Sequence, residues 1–210
     1  MNRKGSDSMS KILLINGSPH ETGCTYTALS EVAASLHACG VETELLWLGT
    51  QPVAGCIACG KCYDTGRCVF DDKVNDLLAR AQEFDGMVVG SPVYYAGPAG
   101  QLCAFLDRLF YASRGCWSGK VGAAVVSCRR GGATAAFDRL NKYFTISNMP
   151  VAPSQYWNMV HGNRPEEVLQ DKEGLQIMRT LGKNIAWMVD GTKQVCQPQY
   201  EPRVSTNFIR

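Results

Sequence analysis

Short apolar runs that stop at clusters of small residues recur along this chain, each followed by a stretch with helical spacing. That alternation narrows the possible folds more than any other feature. Residues 11–16 are almost wholly apolar and stop at Gly17-Ser18-Pro19; residues 87–90 stop at Ser91-Pro92; residues 121–127 run into Cys128 and Arg129. Runs of this length and character suit strands buried on both faces. Leu29, Val32, Leu36 and Cys39 recur at helical spacing, as do Leu102, Phe105, Leu106, Leu109 and Phe110, and then Ala136, Phe137, Leu140 and Phe144. Residues 41–47 alternate as a second strand, Asp72 caps a helix running to about residue 84, and a weaker fifth strand is expected near 149–156. A long helix is expected over 173–189. Alternation of this kind means parallel strands joined by right-handed crossovers, with helices on both faces of the sheet. Ligands of such sheets lie beyond the carboxyl ends of the strands, where strand order reverses. The loops beginning at Gly17, Ser91 and Ser127 are therefore the place to look for function.

Charge and hydropathy remove several classes of partner. A net charge of +2 gives no electrostatic footprint for nucleic acid or for a polybasic membrane contact. No run approaches the roughly 18 apolar residues that a spanning helix needs. Residues 1–10 lack the apolar core of a secretory signal, so a loose extension and a cytoplasmic location are expected. Residues 11–190 form one domain on this reading, interrupted by a cysteine-rich loop at 49–71, and 191–210 form a polar, irregular tail.

The first loop, Asn16 to Tyr26, combines two glycines, hydroxyl side chains and a helix start. Backbone N–H groups, hydroxyls and the positive helix end converge there, as at an anion site. The loop lacks the lysine of a Walker motif and the three-glycine spacing of a dinucleotide fingerprint. Its composition suits a monophosphate bound without metal, or a tight strand-to-helix turn that binds nothing.

Gly17-Ser18-Pro19-x-x-x-Gly23-x-Thr25 resembles the flavin-phosphate loop of the NADPH-dependent FMN reductases, relatives of the multimeric flavodoxin-type quinone reductases. Gly90-Ser91-Pro92-Val93-Tyr94-Tyr95 is a second match and Leu106-Asp107-Arg108 a third, so the resemblance covers about residues 11–190. It implies a flavodoxin-like doubly wound α/β sheet of five parallel strands in the order 2-1-3-4-5. It also implies bound FMN, a reduced nicotinamide, NADH or NADPH, as electron donor, and a small-molecule acceptor such as free flavin or a quinone. Phosphate contacts carry over to Ser18, Gly23 and Thr25. His20 and Cys24 occupy the positions where the family commonly has Arg and Asn, so backbone amides must do more of the holding there.

The second loop implies ring contacts at Pro92, Val93, Tyr94, Tyr95 and Gly97. Proline fixes φ and Gly97 permits close approach of a planar ligand. After the fourth strand, Ser127, Arg129, Gly131 and Gly132 suggest a second close backbone approach to the flavin, with the arginine facing flavin or nicotinamide phosphate. Asp107 and Arg108 read as a structural ion pair. Residues 155–162 are rich in aromatic and polar groups. Related reductases are dimers or tetramers with flavin sites at subunit interfaces, which implies a homo-oligomer here. His161 in this stretch is an ordinary surface residue or a proton donor.

Four of ten cysteines, Cys56, Cys59, Cys62 and Cys68, crowd into the long loop. Two C-x-x-C steps let successive sulfurs converge on a metal, and four thiolates suit an iron–sulfur cluster or zinc. The spacing resembles the compact motif of the iron–sulfur flavoproteins, in which a [4Fe–4S] cluster serves the FMN. Free thiols remain the other reading, since many flavodoxin-like reductases carry a similar loop. Two functions therefore stand: an FMN-dependent NAD(P)H oxidoreductase, or an iron–sulfur flavoprotein that carries electrons.

Overall fold

The computed structural model describes residues 9–202 together with 204 and 206. Most of the expected N-terminal extension and six positions of the tail lie outside the described residues. Strand β1 (Lys11–Asn16) leads into helix α1 (Cys24–Ala38) and then β2 (Glu42–Trp47). The cysteine loop contains the one-turn helix α2 (Lys61–Thr65), and α3 (Lys73–Arg80) follows it. Next come β3 (Gly86–Tyr94), the two-residue strand β4 (Gly97–Pro98), α4 (Gly100–Ala112), β5 (Val121–Cys128) and α5 (Ala133–Ile146). The chain closes with β6 (Met159–His161), α6 (Pro165–Val168) and α7 (Lys172–Gln194).

Five strands pair in parallel in the order β2-β1-β3-β5-β6, which is the expected 2-1-3-4-5 order. The sixth, β4, folds back antiparallel on the end of β3. The central strands are buried on both faces, so their side chains divide between two cores. Leu13, Ile15, Met87 and Val126 meet Leu77, Leu102, Phe105, Leu106 and Phe144 on the α3, α4 and α5 side. Ile12, Leu14, Val88 and Val125 meet Leu29, Val32, Leu36, Met178 and Leu181 on the α1 and α7 side. Gly86 is required in the middle of the sheet, since a Cβ there would lie 2.5 Å from the carbonyl oxygen of Val121.

Three sequence expectations shift. The fifth strand is Met159–His161, ten residues beyond the expected start; of 149–156 only Val151 touches the sheet, through a single bridge to Gly122. Ser91 to Tyr94, expected as loop, continue β3. Beyond Gly90 this strand has β5 as a neighbour but no longer β1, so the N–H that Pro92 lacks is not missed. Helix α7 runs on to Gln194, through Gly191.

At the β2 edge Glu44 receives both Lys11 (2.7 Å) and Arg80 (2.8 Å). Hydrogen bonding to Arg80 holds the Glu44 carboxyl down at about 2. A carboxyl depressed in the folded state contributes stability that is complete above its unfolded value and vanishes as pH falls through the folded one. Glu44→Gln should therefore remove about 0.5 kcal/mol at neutral pH and flatten the acid limb between pH about 4.5 and about 2. Urea titrations at pH 7 and pH 3 check it: the gap between the two proteins should narrow at the lower pH.

Candidate functional site

At the carboxyl end of the sheet three loops meet. The first is held from within. The amide of Asn16 donates to the carbonyl of Glu21 (3.0 Å), its oxygen accepts from the Ser18 N–H (3.0 Å), and Ser18 Oγ accepts from the His20 N–H (3.1 Å). The Gly17 N–H ties the loop to Gly90 of β3 at 2.9 Å. Trp47, at the end of β2, donates its indole N–H to the Ser18 carbonyl at 2.9 Å. The helix that follows starts at Gly23 with no side chain capping it and no acidic residue in its first turn. Its first amides therefore face outward as a cluster of positive dipole ends.

The second loop is a hairpin whose tip is Tyr95 and Ala96, both with positive φ (50° and 60°). Two such residues give the primed turn that suits a twisted ribbon, but glycine and asparagine usually occupy these positions. Each costs roughly 1–2 kcal/mol in this conformation, and strain of this kind collects where a loop is shaped for a ligand. Tyr95 is wholly exposed and Tyr94 half exposed.

The third loop reaches the second through Gly132, which caps α5 at φ 88°. A Cβ on Gly132 would lie 2.8 Å from the Ala96 Cα and 3.1 Å from Val93, whereas Gly131 faces open space. Arg129 is exposed. Ser127 and Thr25 are buried, and their hydroxyls bond each other at 2.8 Å, pinning α1 to β5. Cys24 donates its thiol to the Gly162 carbonyl (3.7 Å), which joins the first loop to the β6–α6 connection; burial pushes that thiol up. His161 ends β6, half exposed. Its N–H donates to Asp171 at 2.7 Å and its Nδ1 stands 3.7 Å from the same oxygen.

The structure thus gathers Ser18, His20, Gly23, Cys24 and Thr25 with Pro92 to Gly97 and Ser127 to Gly132 at one end of the sheet. Their chemistry fits a flavin mononucleotide: an uncapped helix start for a phosphate, and a glycine-backed hairpin for a flat ring system.

The cysteine loop forms a separate centre against α4. Cys56, Cys59, Cys62 and Cys68 line one pocket with Ile57, Val69, Phe70 and Tyr111 as apolar walls. Ala58, Gly60 and Gly66 have positive φ and turn the chain sharply within this loop. All ten cysteines are free thiols. Burial raises the Cys62 thiol, and the neighbouring Cys56, Cys59 and Cys68 add to the rise. Among the described residues no three His, Cys, Asp or Glu side chains converge closely enough for a single metal ion. By chemistry alone, four thiols along one apolar pocket are a donor set that suits an iron–sulfur cluster or zinc.

Arg108 does not pair with Asp107. Adjacent residues on a helix do not face each other, and the two side chains leave α4 in different directions. Asp107 accepts from Tyr143 at 2.5 Å, while Arg108 grips Asp72 through two bonds of 2.7 and 2.8 Å. Sequence reasoning missed this contact with the cysteine loop. The signal was present: Arg108 lies on the buried face of α4, three residues from Phe105 and four from Ala112, where a charge needs a partner.

Residues 10–164 match the family of NADPH-dependent FMN reductases. The chain belongs to that family. An iron–sulfur flavoprotein of Methanocaldococcus jannaschii is 32% identical over 191 residues, 85% of this chain and 97% of the relative. An iron–sulfur flavoprotein of Methanosarcina thermophila is 29% identical over 180 residues, 83% and 93% of the two chains. Among solved structures, RosB with a bound riboflavin-phosphate intermediate superposes with a TM-score of 0.73 at 13% identity, covering 96% of this chain and 93% of its own. An archaeal flavodoxin gives 0.58 at 19% identity, covering 87% and 99%. These two show the flavodoxin-like fold. As a member of the FMN reductase family, the protein is a flavin-dependent oxidoreductase or electron carrier.

Proposed function

We propose that the protein is an iron–sulfur flavoprotein, with FMN across the three loops and a [4Fe–4S] cluster on Cys56, Cys59, Cys62 and Cys68. The observation that carries this reading is that all four cysteines of the loop line one apolar pocket. When bound, the two groups supply the redox chemistry, single electrons at the cluster and one or two at the flavin. The chain supplies the rest. The α1 amides and the Ser18 hydroxyl bind the phosphate, and the hairpin amides beside Val93 and Gly97 orient the ring edge. Tyr94 and Tyr95 exclude water from one flank. Arg129 is available to an anionic partner. Tyr95, Tyr156 and Trp157, all exposed, supply an aromatic surface for contact between copies in a homo-oligomer.

The family match favours a second reading, an NAD(P)H-dependent reductase that delivers electrons to a small acceptor and needs no cluster. Anaerobic purification separates the two. The first expects FMN together with about four irons per chain, and bleaching by a reduced ferredoxin. Iron-free protein that NADPH reduces rapidly would overturn the first reading in favour of the second.

A further inference from the structure

The cysteine loop is not held evenly. Cys56 and Cys59 are exposed, while Cys68 is fixed at three points. Its N–H donates to Asn75 (2.8 Å), its carbonyl accepts from Asn75 (3.0 Å), and its sulfur accepts from Arg108 Nε at 3.1 Å. Asn75 also donates to the Phe70 carbonyl (3.0 Å) and is itself buried.

Arg108 is the centre of this arrangement. Its side chain is 0% exposed. A guanidinium has five N–H donors in a rigid fork, and here each has an acceptor. Nε serves Cys68. One terminal nitrogen serves Asp72 (2.7 Å) and the Ala54 carbonyl (3.3 Å); the other serves Asp72 (2.8 Å) and the Phe70 carbonyl (3.3 Å). The Phe70 ring covers one face at 4.9 Å. A single side chain therefore ties residues 54, 68, 70 and 72 to α4, and of its five donors one goes to a sulfur.

We propose that Arg108 is a positioning residue for the metal centre, which presets Cys68 and raises the centre's reduction potential through its Nε–H···Sγ bond. This rests on the cluster reading above. Adding an electron places more negative charge on the ligand sulfurs, so a donor aimed at one of them favours the reduced state. Asp72 offsets most of the guanidinium charge at a distance. What remains at the sulfur is the nearby N–H dipole of a fully buried side chain. The hydrogen bond, not the net charge, is then the quantity to remove.

Two variants do this. Arg108→Met with Asp72→Asn removes both charges and the donor together and leaves no unpaired buried ion. Arg108→Leu with Asp72→Asn does the same with a different apolar side chain and likewise brings no donor. Each is purified anaerobically, iron and FMN are counted, and cluster and flavin potentials are read in one redox titration followed by electron paramagnetic resonance and absorbance. Both variants should retain iron and FMN. The reduced-to-oxidised ratio of the cluster at fixed potential should fall about tenfold, a shift of about 59 mV for a one-electron couple, while the flavin potential stays in place. Arg108→Leu with Asp72→Asn decides alone if the methionine variant does not fold.

Unchanged cluster potentials in variants that hold iron would overturn the proposal and leave the cluster reading intact. Folded variants that hold no iron would reduce Arg108 to scaffold and overturn it too. Wild-type protein without iron would sink the cluster reading itself, and is seen before any variant is made.

Discussion

Gly132→Ala should release FMN while Gly131→Ala keeps it. The neighbouring glycines look alike in sequence but differ in what surrounds them. Gly132 has φ 88°, and a methyl group there would stand 2.8 Å from the Ala96 backbone, whereas Gly131 has nothing within 4 Å. Left-handed strain of ~1–2 kcal/mol adds to an overpacking cost of ~1–3 kcal/mol. The hairpin tip, already strained at Tyr95 and Ala96, must move to relieve it. If that tip flanks the flavin ring, about 3 kcal/mol is lost from binding, roughly 100-fold in affinity. Quenching of FMN fluorescence on titration into cofactor-free protein gives the two constants. Wild-type affinity in Gly132→Ala would mean that the hairpin has no part in the site.

Asp72→Ala should be the most destabilising polar substitution near the cysteine loop. Asp72 Oδ1 caps α3 by accepting from the Val74 N–H at 3.1 Å, and loss of such a cap costs about 1 kcal/mol. The same carboxylate holds both terminal nitrogens of Arg108. Its removal leaves a fully buried cation short of its counter-ion, a defect worth ~3–5 kcal/mol where both partners are dry. Asp72 itself is 36% exposed, so water recovers part of that. A total of about 3 kcal/mol remains, which for a chain of this size lowers Tm by roughly 6–12 °C. Asp72→Asn keeps the cap and should lose less. A Tm within about 2 °C of wild type in Asp72→Ala would show that Arg108 finds other partners, and that the clamp around Cys68 does not depend on this pair.

The sheet was legible because its strands are buried on both faces, which writes them as unbroken apolar runs at residues 11–16, 87–90 and 121–127. Burial on one side only is harder to read. Strand β6 pairs over three residues, Met159–His161, too few for alternation to register, while the more apolar 149–153 touches the sheet once. Pro92 marked a loop by its missing N–H, yet β3 continues through it because β1 has ended. The three loops around the crevice were visible through glycine, proline and hydroxyl residues at strand ends. Their mutual contacts were not, since Gly132 against Ala96 and Thr25 against Ser127 join residues 36 and 102 positions apart. The same holds for Arg108, whose neighbours in sequence do not include Asp72 or Cys68.

The account depends above all on the open start of α1 gripping a phosphate at the mouth of the sheet. Titrating cofactor-free protein with FMN and, in parallel, with riboflavin isolates that grip, because the two ligands differ only in the phosphate. Charge-assisted hydrogen bonds of ~1.5–3 kcal/mol each should make FMN bind about 100-fold more tightly or better. Equal affinities, or failure of both ligands to bind, would contradict it.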